Sequence, residues 1–576
     1  MRLVTVLSKP ETISVLVSLI LGCLLVALGF TTFDKYTHMS FAKHYQEGWL
    51  SLIDQRVGGG LDLSSYPPLS HQLLALFSLP FGLEAGYNIL LMASWLSVSY
   101  FSSKFFTSYI GINKPKIWLT FLFVFFSSGI LIVNFVFGQL TTIVGLAFGF
   151  SALYFFSEFL RKADKNPNKK LLTKEILLSV IALSLCAYAH NLSFIIMAIF
   201  FGLLFILEWR LLARNYKAVL LFLVASAVLI TPIYYPLLSS ATSNSLVPAK
   251  EIPHWSRYPL ENGINADRWA SIFGTSIFMV AFPVILVLAG SKDRNKYIKI
   301  YLIGIFFFLL GLGRTTPLSE IFGPMEHWMT YERFALVSSI VFTALFSFFL
   351  PAEPILEVEI GKRKLNALEI LFVAMFLFIG VSLLLHAHQL FFGTQAGHYL
   401  EGRNEMTEYV LSFLDSVPKN YRYQTFGYGR PIGQLYLYSK LPTLDTDYYT
   451  GRTIGWLRES GIDEIDQTSS EDFLQTFMVQ SQNYSVKYII TFSDYYSKYP
   501  KAYGWDLLEI RDFYGLQVAI WENPGSVAEV KYVEEEYGLF NYAWGILPPA
   551  LLLVFLILLL QYYHPFEIQN IWHKVF

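Results

Sequence analysis

Long apolar runs alternate with short polar connections along most of this chain, and one late stretch breaks that rhythm. Runs near the ~20 residues needed to cross a hydrocarbon core lie at 12–33, 85–106, 117–137, 139–158, 173–190, 193–212, 217–236, 270–290, 297–313, 331–350, 366–387 and 542–562. The pattern predicts a polytopic α-helical membrane protein with about 12 transmembrane helices. The first run, from about Ile13 to Phe30, is too long for a signal-peptide core and lacks a small-x-small cleavage site, which marks a retained helix. A further apolar segment, 69–82 (LSHQLLALFSLPFG), is shorter than a span and reads as interfacial or re-entrant.

Charge sets the sidedness. The basic loops 159–174, 208–217, 291–299 and 361–364 (GKRK) all fall on the cytoplasmic side if the spans number twelve and 69–82 does not cross. Both termini then lie in the cytoplasm. Four pieces face outward: 34–84, 237–269, 314–330 and 388–541. The last has the composition of a water-exposed domain. It has helical spacing at Met406, Val410, Leu411 and Leu414, β-rich runs at 486–492 (VKYIITF) and 515–523, and a predicted helix at 470–482. The expected organisation is a membrane domain over 1–388 with an outer loop at 34–84, an extracytoplasmic α+β domain over 389–541, and a last transmembrane helix with a cytoplasmic tail over 542–576.

Composition narrows the function classes. Charged residues make up 15% of the chain, against roughly 25% in soluble proteins, and with a net charge of −1 and no basic patch standing out, no nucleic-acid partner is expected. Both cysteines, Cys23 and Cys186, fall in apolar runs, so the late domain does not rest on disulfides. No nucleotide loop, HExxH motif or serine-hydrolase elbow is evident. Ionisable groups are scarce mid-span, where a channel or carrier would place them.

The chemistry-bearing residues gather at the outer ends of the spans. Asp34 stands where the chain leaves the first helix, with His38 one turn later and Phe41, Ala42 and Tyr45 continuing an amphipathic stripe. A partly desolvated carboxylate there can act as a general base, whereas a solvated carboxylate would merely cap the helix. Downstream, Gly58–Gly60 suggest a flexible loop. Tyr66-Pro67-Pro68 fixes an extended turn, and His71 opens the interfacial helix. Gln139, His190 and Asn191 sit at turns, and Arg314, Glu320, Glu326, His327, Glu332 and Arg333 cluster in one loop. Arginine is the best bidentate partner for phosphate, which nominates Arg314 and Arg333, with His190 and His327 as secondary contacts. His254, Trp255, Arg257, Tyr258 and Trp269 read first as an interfacial aromatic belt and second as a stacking surface for a sugar or acceptor.

An Asp after helix one, Ala42 and Gly48 in an A-x5-G spacing, Tyr-Pro-Pro-Leu at 66–69 and a short apolar helix together resemble the first outer loop of GT-C membrane glycosyltransferases. The stretch 313–342, followed by a span and a domain containing NYSVKYIITF and GLQVAIWENP, is similar to two groups of membrane proteins. One is related to 6-pyruvoyl-tetrahydropterin synthase, and the other is the lipoteichoic-acid glycosylating proteins. No cluster of histidines for a synthase zinc is evident. The GT-C resemblance implies a polyprenyl-phosphate-linked sugar donor, a glycan, lipid or protein acceptor among membrane lipids, and Asp34 as catalytic base. Where that family often carries Asp-Glu, this chain has Asp34-Lys35. The substrate contacts then expected are His38, Tyr66, His71, His190, Arg257, Arg314, His327 and Arg333. No cofactor is assigned, and a divalent metal is left open. The competing classes are a lipid-linked-sugar carrier or flippase and a non-catalytic cell-envelope assembly protein.

Overall fold

The computed structural model describes residues 10–30, 32–110, 117–165, 173–242, 255–257, 259, 268–270, 272–274, 294–349, 357–360, 363–400, 405–429, 432–446, 448, 453–460, 471–513 and 515–563. Helices dominate. Apart from a short helix at Trp209–Arg214, in chain order they are α1 (Pro10–Ala27), α2 (Lys35–Glu47), α3 (Leu69–Phe81), α4 (Leu83–Ile110), α5 (Ile117–Phe125), α6 (Ser128–Ile132), α7 (Leu140–Lys165), α8 (Lys174–Ala189), α9 (Asn191–Leu207), α10 (Tyr216–Thr242), α11 (Arg294–Gly311), α12 (Glu332–Phe349) and α13 (Ala367–Leu400). The late region adds α14 (Glu405–Ser416), α15 (Ile432–Tyr438), α16 (Glu471–Gln480), α17 (Asp494–Ala502) and α18 (Leu539–Tyr563).

Five of these are long and apolar enough to cross a bilayer among the described residues: α4, and the apolar stretches of α7, α10, α13 and α18. The span expected at 117–137 is instead broken. Helix α5 ends at Phe125, the axis bends by 44°, and α6 runs into a π-helical turn at Val133–Phe137. A broken helix strands backbone carbonyls that lipid cannot satisfy. Here the Trp95 indole stacks 3.8 Å from the Phe125 ring and donates to the Phe125 carbonyl at 3.0 Å. Helix α3 has 13 residues, about 20 Å at 1.5 Å per residue, too short for the ~30 Å core. The expected span at 270–290 lies almost wholly outside the described residues.

Burial separates hub from rim. The apolar stretch of α7 is 94% buried, whereas those of α13 and α18 are each 22% buried and present Phe378, Leu385, Leu553 and Leu560 outward. Exposed apolar stripes of this length suit a lipid neighbour. Trp269, expected in an interfacial belt, is fully buried and stacks on Phe273.

Two short strands, β1 (Ile53–Asp54) and β2 (Leu61–Asp62), form a hairpin in the first loop, and β3 (Glu357–Ile360) pairs with β4 (Arg363–Asn366). The late region contains a four-stranded mixed sheet of β5 (Arg422–Phe426), β6 (Val486–Phe492), β7 (Asp506–Phe513) and β8 (Leu516–Glu522) in the order β5-β6-β8-β7. Strand β5 runs parallel to β6, and the other pairs are antiparallel. The boundary expected at 388/389 falls inside α13, which continues to Leu400.

The glycine segment expected to be flexible is instead buried and anchored. Gly58, Gly59 and Gly60 all take positive φ, which glycine adopts at no steric cost. Their backbone bonds to the late region: Gly58 N–H donates to Asp445 O at 3.1 Å, Gly59 N–H to Thr443 O at 3.0 Å, and Gly60 O accepts from Thr453 N–H at 3.0 Å. Glu535 accepts from Ser51 Oγ and the Leu52 N–H, each at 2.7 Å. Backbone and carboxylate bonds thus tie the first loop to the C-terminal part of the chain.

Candidate active site

The position of Asp34 is set by the broken helix. Its π-helical turn ends on Gly138 at φ +67°, where a Cβ would meet Thr32 Oγ1 at 2.5 Å. The carbonyls of this turn accept the Phe33 N–H (3.2 Å, at Val136) and the Asp34 N–H (3.0 Å, at Phe137). Asp34 occupies the N-cap of α2 without a side-chain capping bond, so its carboxylate is not spent on the helix end. The His38 N–H donates to the Asp34 carbonyl at 3.0 Å, fixing His38 one turn further on.

The second wall comes from the Tyr66-Pro67-Pro68 turn. Proline restricts the residue before it to extended backbone, and Tyr66 sits at φ −121°, ψ 122°. His71 follows in the first turn of α3, and its Nε2 lies 3.0 Å from His38 Nδ1. Both imidazoles are buried. Burial first, then the Arg333 charge, pushes His38 down to about 3, and burial with the His38 neighbour holds His71 well below the usual range. Both rings are therefore neutral and share one proton in their contact. His38 Nε2 is buried with no hydrogen-bond partner among the described residues.

Tyr66 links the walls. Its hydroxyl shares a 3.1 Å hydrogen bond with Thr141 Oγ1, and its ring lies 5.2 Å from His71, 5.2 Å from Tyr448 and 6.4 Å from His190. Burial raises this phenol to about 12, Arg333 opposes the rise, and the Asp34 charge adds to it.

Arg333, at the start of α12, is held by polar partners. Its Nε donates to Gln139 Oε1 at 3.1 Å, and Nη1 lies 2.9 Å from His190 Nε2. His190 Nδ1 caps α9 by accepting the Ser193 N–H at 3.2 Å and lies 2.9 Å from Ser193 Oγ, and that hydroxyl donates to the Thr142 carbonyl at 3.1 Å. Gln139 also donates to buried Glu332 at 3.0 Å, whose Oε1 lies 3.8 Å from Arg333 Nε. Arg333 Nη2 makes no hydrogen bond among the described residues. A guanidinium with a fixed fork and an open nitrogen can take a phosphate oxygen.

The tertiary structure therefore gathers Asp34, His38, Tyr66, His71, His190 and Arg333. It places the other expected residues elsewhere. Arg257 is buried with its Nε bonded to the Met329 carbonyl at 3.0 Å. Arg314 donates to Glu326 through Nε at 2.7 Å and lines an open cavity of about 480 Å³ with Thr315, Thr316, Pro317, Ser319, Glu320 and Glu326. The His327 side chain, the Trp255 side chain, His254 and Tyr258 lie outside the described residues. Thr141 and Tyr448 join the site without a sequence signal. Gln139 and Glu332 stood out only as polar residues at helix ends. Among the described residues no group of three or more His, Cys, Asp or Glu side chains could hold a metal ion.

No protein-family model and no curated protein matches this sequence. Solved structures do match. ArnT from Cupriavidus metallidurans bound to undecaprenyl phosphate aligns with a TM-score of 0.52 and 13% identity over 89% of this chain and 98% of that one. Apo ArnT gives 0.54 at 11% identity, over 88% of this chain and 97% of that one. A variant of the arabinofuranosyltransferase AftD from Mycobacteria gives 0.54 at 14% identity, over 90% of this chain and 42% of that chain. At these identities the likeness is one of fold: this chain shares the fold of ArnT and of the arabinofuranosyltransferase AftD.

Proposed function

We propose that the protein is a membrane glycosyltransferase that moves a sugar from a polyprenyl-phosphate-linked donor to a glycan, lipid or protein acceptor at the outer face of the membrane. The observation that carries this reading is the cluster that packs Tyr66 against His71 (5.2 Å) and His190 (6.4 Å), with Arg333 bonded to His190 at 2.9 Å and His38, one turn after Asp34, 3.0 Å from His71. This reading gives Asp34 the role of base and Arg333 that of phosphate-binding cation, on a fold that ArnT shares.

The reaction follows from the groups present. Asp34 takes the proton from an acceptor hydroxyl, the acceptor oxygen bonds to the anomeric carbon, and the bond from that carbon to the phosphate oxygen breaks. The electron pair leaves on polyprenyl phosphate, and direct displacement inverts the anomeric centre. Arg333 Nη2 offsets the charge that develops on the phosphate, with Gln139 and His190 fixing the fork beforehand. His38 Nε2, buried and without a partner, is the second donor to a phosphate oxygen when its ring carries the proton there. The positive-inside rule, applied to the basic loops, supports an outer-face location for this site and the late domain.

Replacing Asp34 with Asn tests the proposal. General-base catalysis is worth about 10²–10⁴-fold, so glycan transfer by membranes containing the variant should fall by that factor at normal protein levels. Full retention of transfer at equal expression would remove Asp34 from the chemistry.

A further inference from the structure

The late sheet has two unlike edges. Strand β5 is buried along its whole length, and beyond it Tyr423 bridges to Thr443. Strand β7, at the other edge, is exposed from Asp506 to Asp512, and only Phe513 is buried. Leu507, Leu508 and Ile510 are 47%, 42% and 52% exposed there. An exposed edge leaves a row of backbone N–H and C=O groups open to another strand, and exposed leucine and isoleucine beside that row favour covering it.

The order of charges on β7 selects the occupant. Glu509 and Arg511 flank Ile510 and, two residues apart, lie on one face of the strand. Intrachain contacts hold both on that face: Tyr409 Oη donates to Glu509 at 2.7 Å, and the Arg511 guanidinium lies 5.4 Å from the Tyr409 ring and 5.0 Å from the Phe513 ring. When a strand pairs with itself antiparallel about residue 510, residue 509 of each copy stands opposite residue 511 of the other. Glutamate then meets arginine twice, and Ile510 meets Ile510 on the opposite face. Edge charges normally discourage pairing, because like charges meet. Here their order is self-complementary, as a two-fold interface requires.

We propose that two copies of this chain pair through β7, antiparallel about Ile510, joining their late sheets into one. The irregularity between Leu507 and Glu509 confines the regular pairing to the stretch around Ile510.

The test uses the full-length protein in bilayer nanodiscs or native membranes, with Cys23 and Cys186 replaced by Ala. Ile510→Cys should form a disulfide-linked dimer on mild oxidation, since directly opposed strand residues fall within disulfide range. Val479→Cys, on an equally open surface (67% exposed) of α16, is the control and should give at least tenfold less dimer. On the Ile510→Cys background, Glu509→Arg or Arg511→Glu alone sets like charges opposite each other and should cut the cross-linked fraction several-fold. The double exchange Glu509→Arg with Arg511→Glu restores opposite charges and should return it to the starting level. Cross-linking at 510 no greater than at 479, or a double exchange no better than the single ones, overturns the proposal.

Discussion

Arg314 lies in the connection between α11 and α12 and Arg333 in the first turn of α12, yet they differ in what surrounds them. The Arg314 side chain is 39% exposed, and a carboxylate, Glu326, takes its Nε. The Arg333 side chain is 15% exposed, its fork is hydrogen-bonded to the neutral groups of Gln139 and His190, and the buried Glu332 carboxylate stands off at 3.8 Å. An exposed ion pair is worth little and is screened by salt. A guanidinium whose hydrogen bonds go to neutral groups, with the nearest carboxylate itself held by Gln139, keeps one nitrogen for an anion. Residue type nominated both, and the partners separate them.

The sharpest break of this comparison is substitution. Arg333→Gln removes the cation proposed to face the departing phosphate and should lower kcat about 10²–10³-fold, the cost of losing one preorganised charge-stabilising donor. Arg314→Gln should stay within about threefold of the parent, because an exposed pair is worth ~1 kcal/mol or less. Steady-state transfer assays on both variants decide it, and equal losses would erase the distinction.

A smaller effect separates the two neighbourhoods by pH. His38 is depressed to about 3 in the fold but titrates near 6.5 when unfolded. Its stabilising contribution is therefore complete above about pH 6.5 and is lost as pH falls toward about 3, because the unfolded state takes up the proton first. At pH 4 the loss amounts to ~3 kcal/mol at roughly 1.4 kcal/mol per unit. Thermal unfolding in detergent should show Tm falling between pH 7 and pH 4, with the fall reduced in His38→Gln. An unchanged slope in that variant would mean that other groups carry the acid sensitivity.

The smallest expected effect concerns the backbone under Asp34. Gly138→Ala places a Cβ at φ +67° against Thr32, a strain of about 1–2 kcal/mol. Because this turn carries the Asp34 N–H, transfer should weaken several-fold in Gly138→Ala and stay unchanged in Gly82→Ala. Gly82 also has positive φ, but a Cβ there would meet nothing within 4 Å. Both variants should lower Tm slightly, so only the activity assay discriminates.

Much of the helical framework was legible in the sequence because each buried or lipid-facing helix must be apolar over a fixed length, and that constraint acts residue by residue. The strands at 486–492 and 516–522 were legible from their β-branched and aromatic runs. The break at Phe126–Ser127 was not, because Trp95, distant in sequence, supplies the bond that makes it tolerable. Strand β7 was missed for a related reason: an exposed edge strand has no buried face to imprint a period on its residues.

For the site, the sequence by itself picked out Asp34, His38, Tyr66, His71, His190 and Arg333 as polar residues stranded at helix ends, where desolvation makes them costly unless used. It could not choose Arg333 over Arg314, or bring Thr141 and Tyr448 to Tyr66. Those outcomes depend on hydrogen bonds and ring contacts between residues far apart in the chain. Such contacts exist only once the broken helix, the first loop and the late region have packed together.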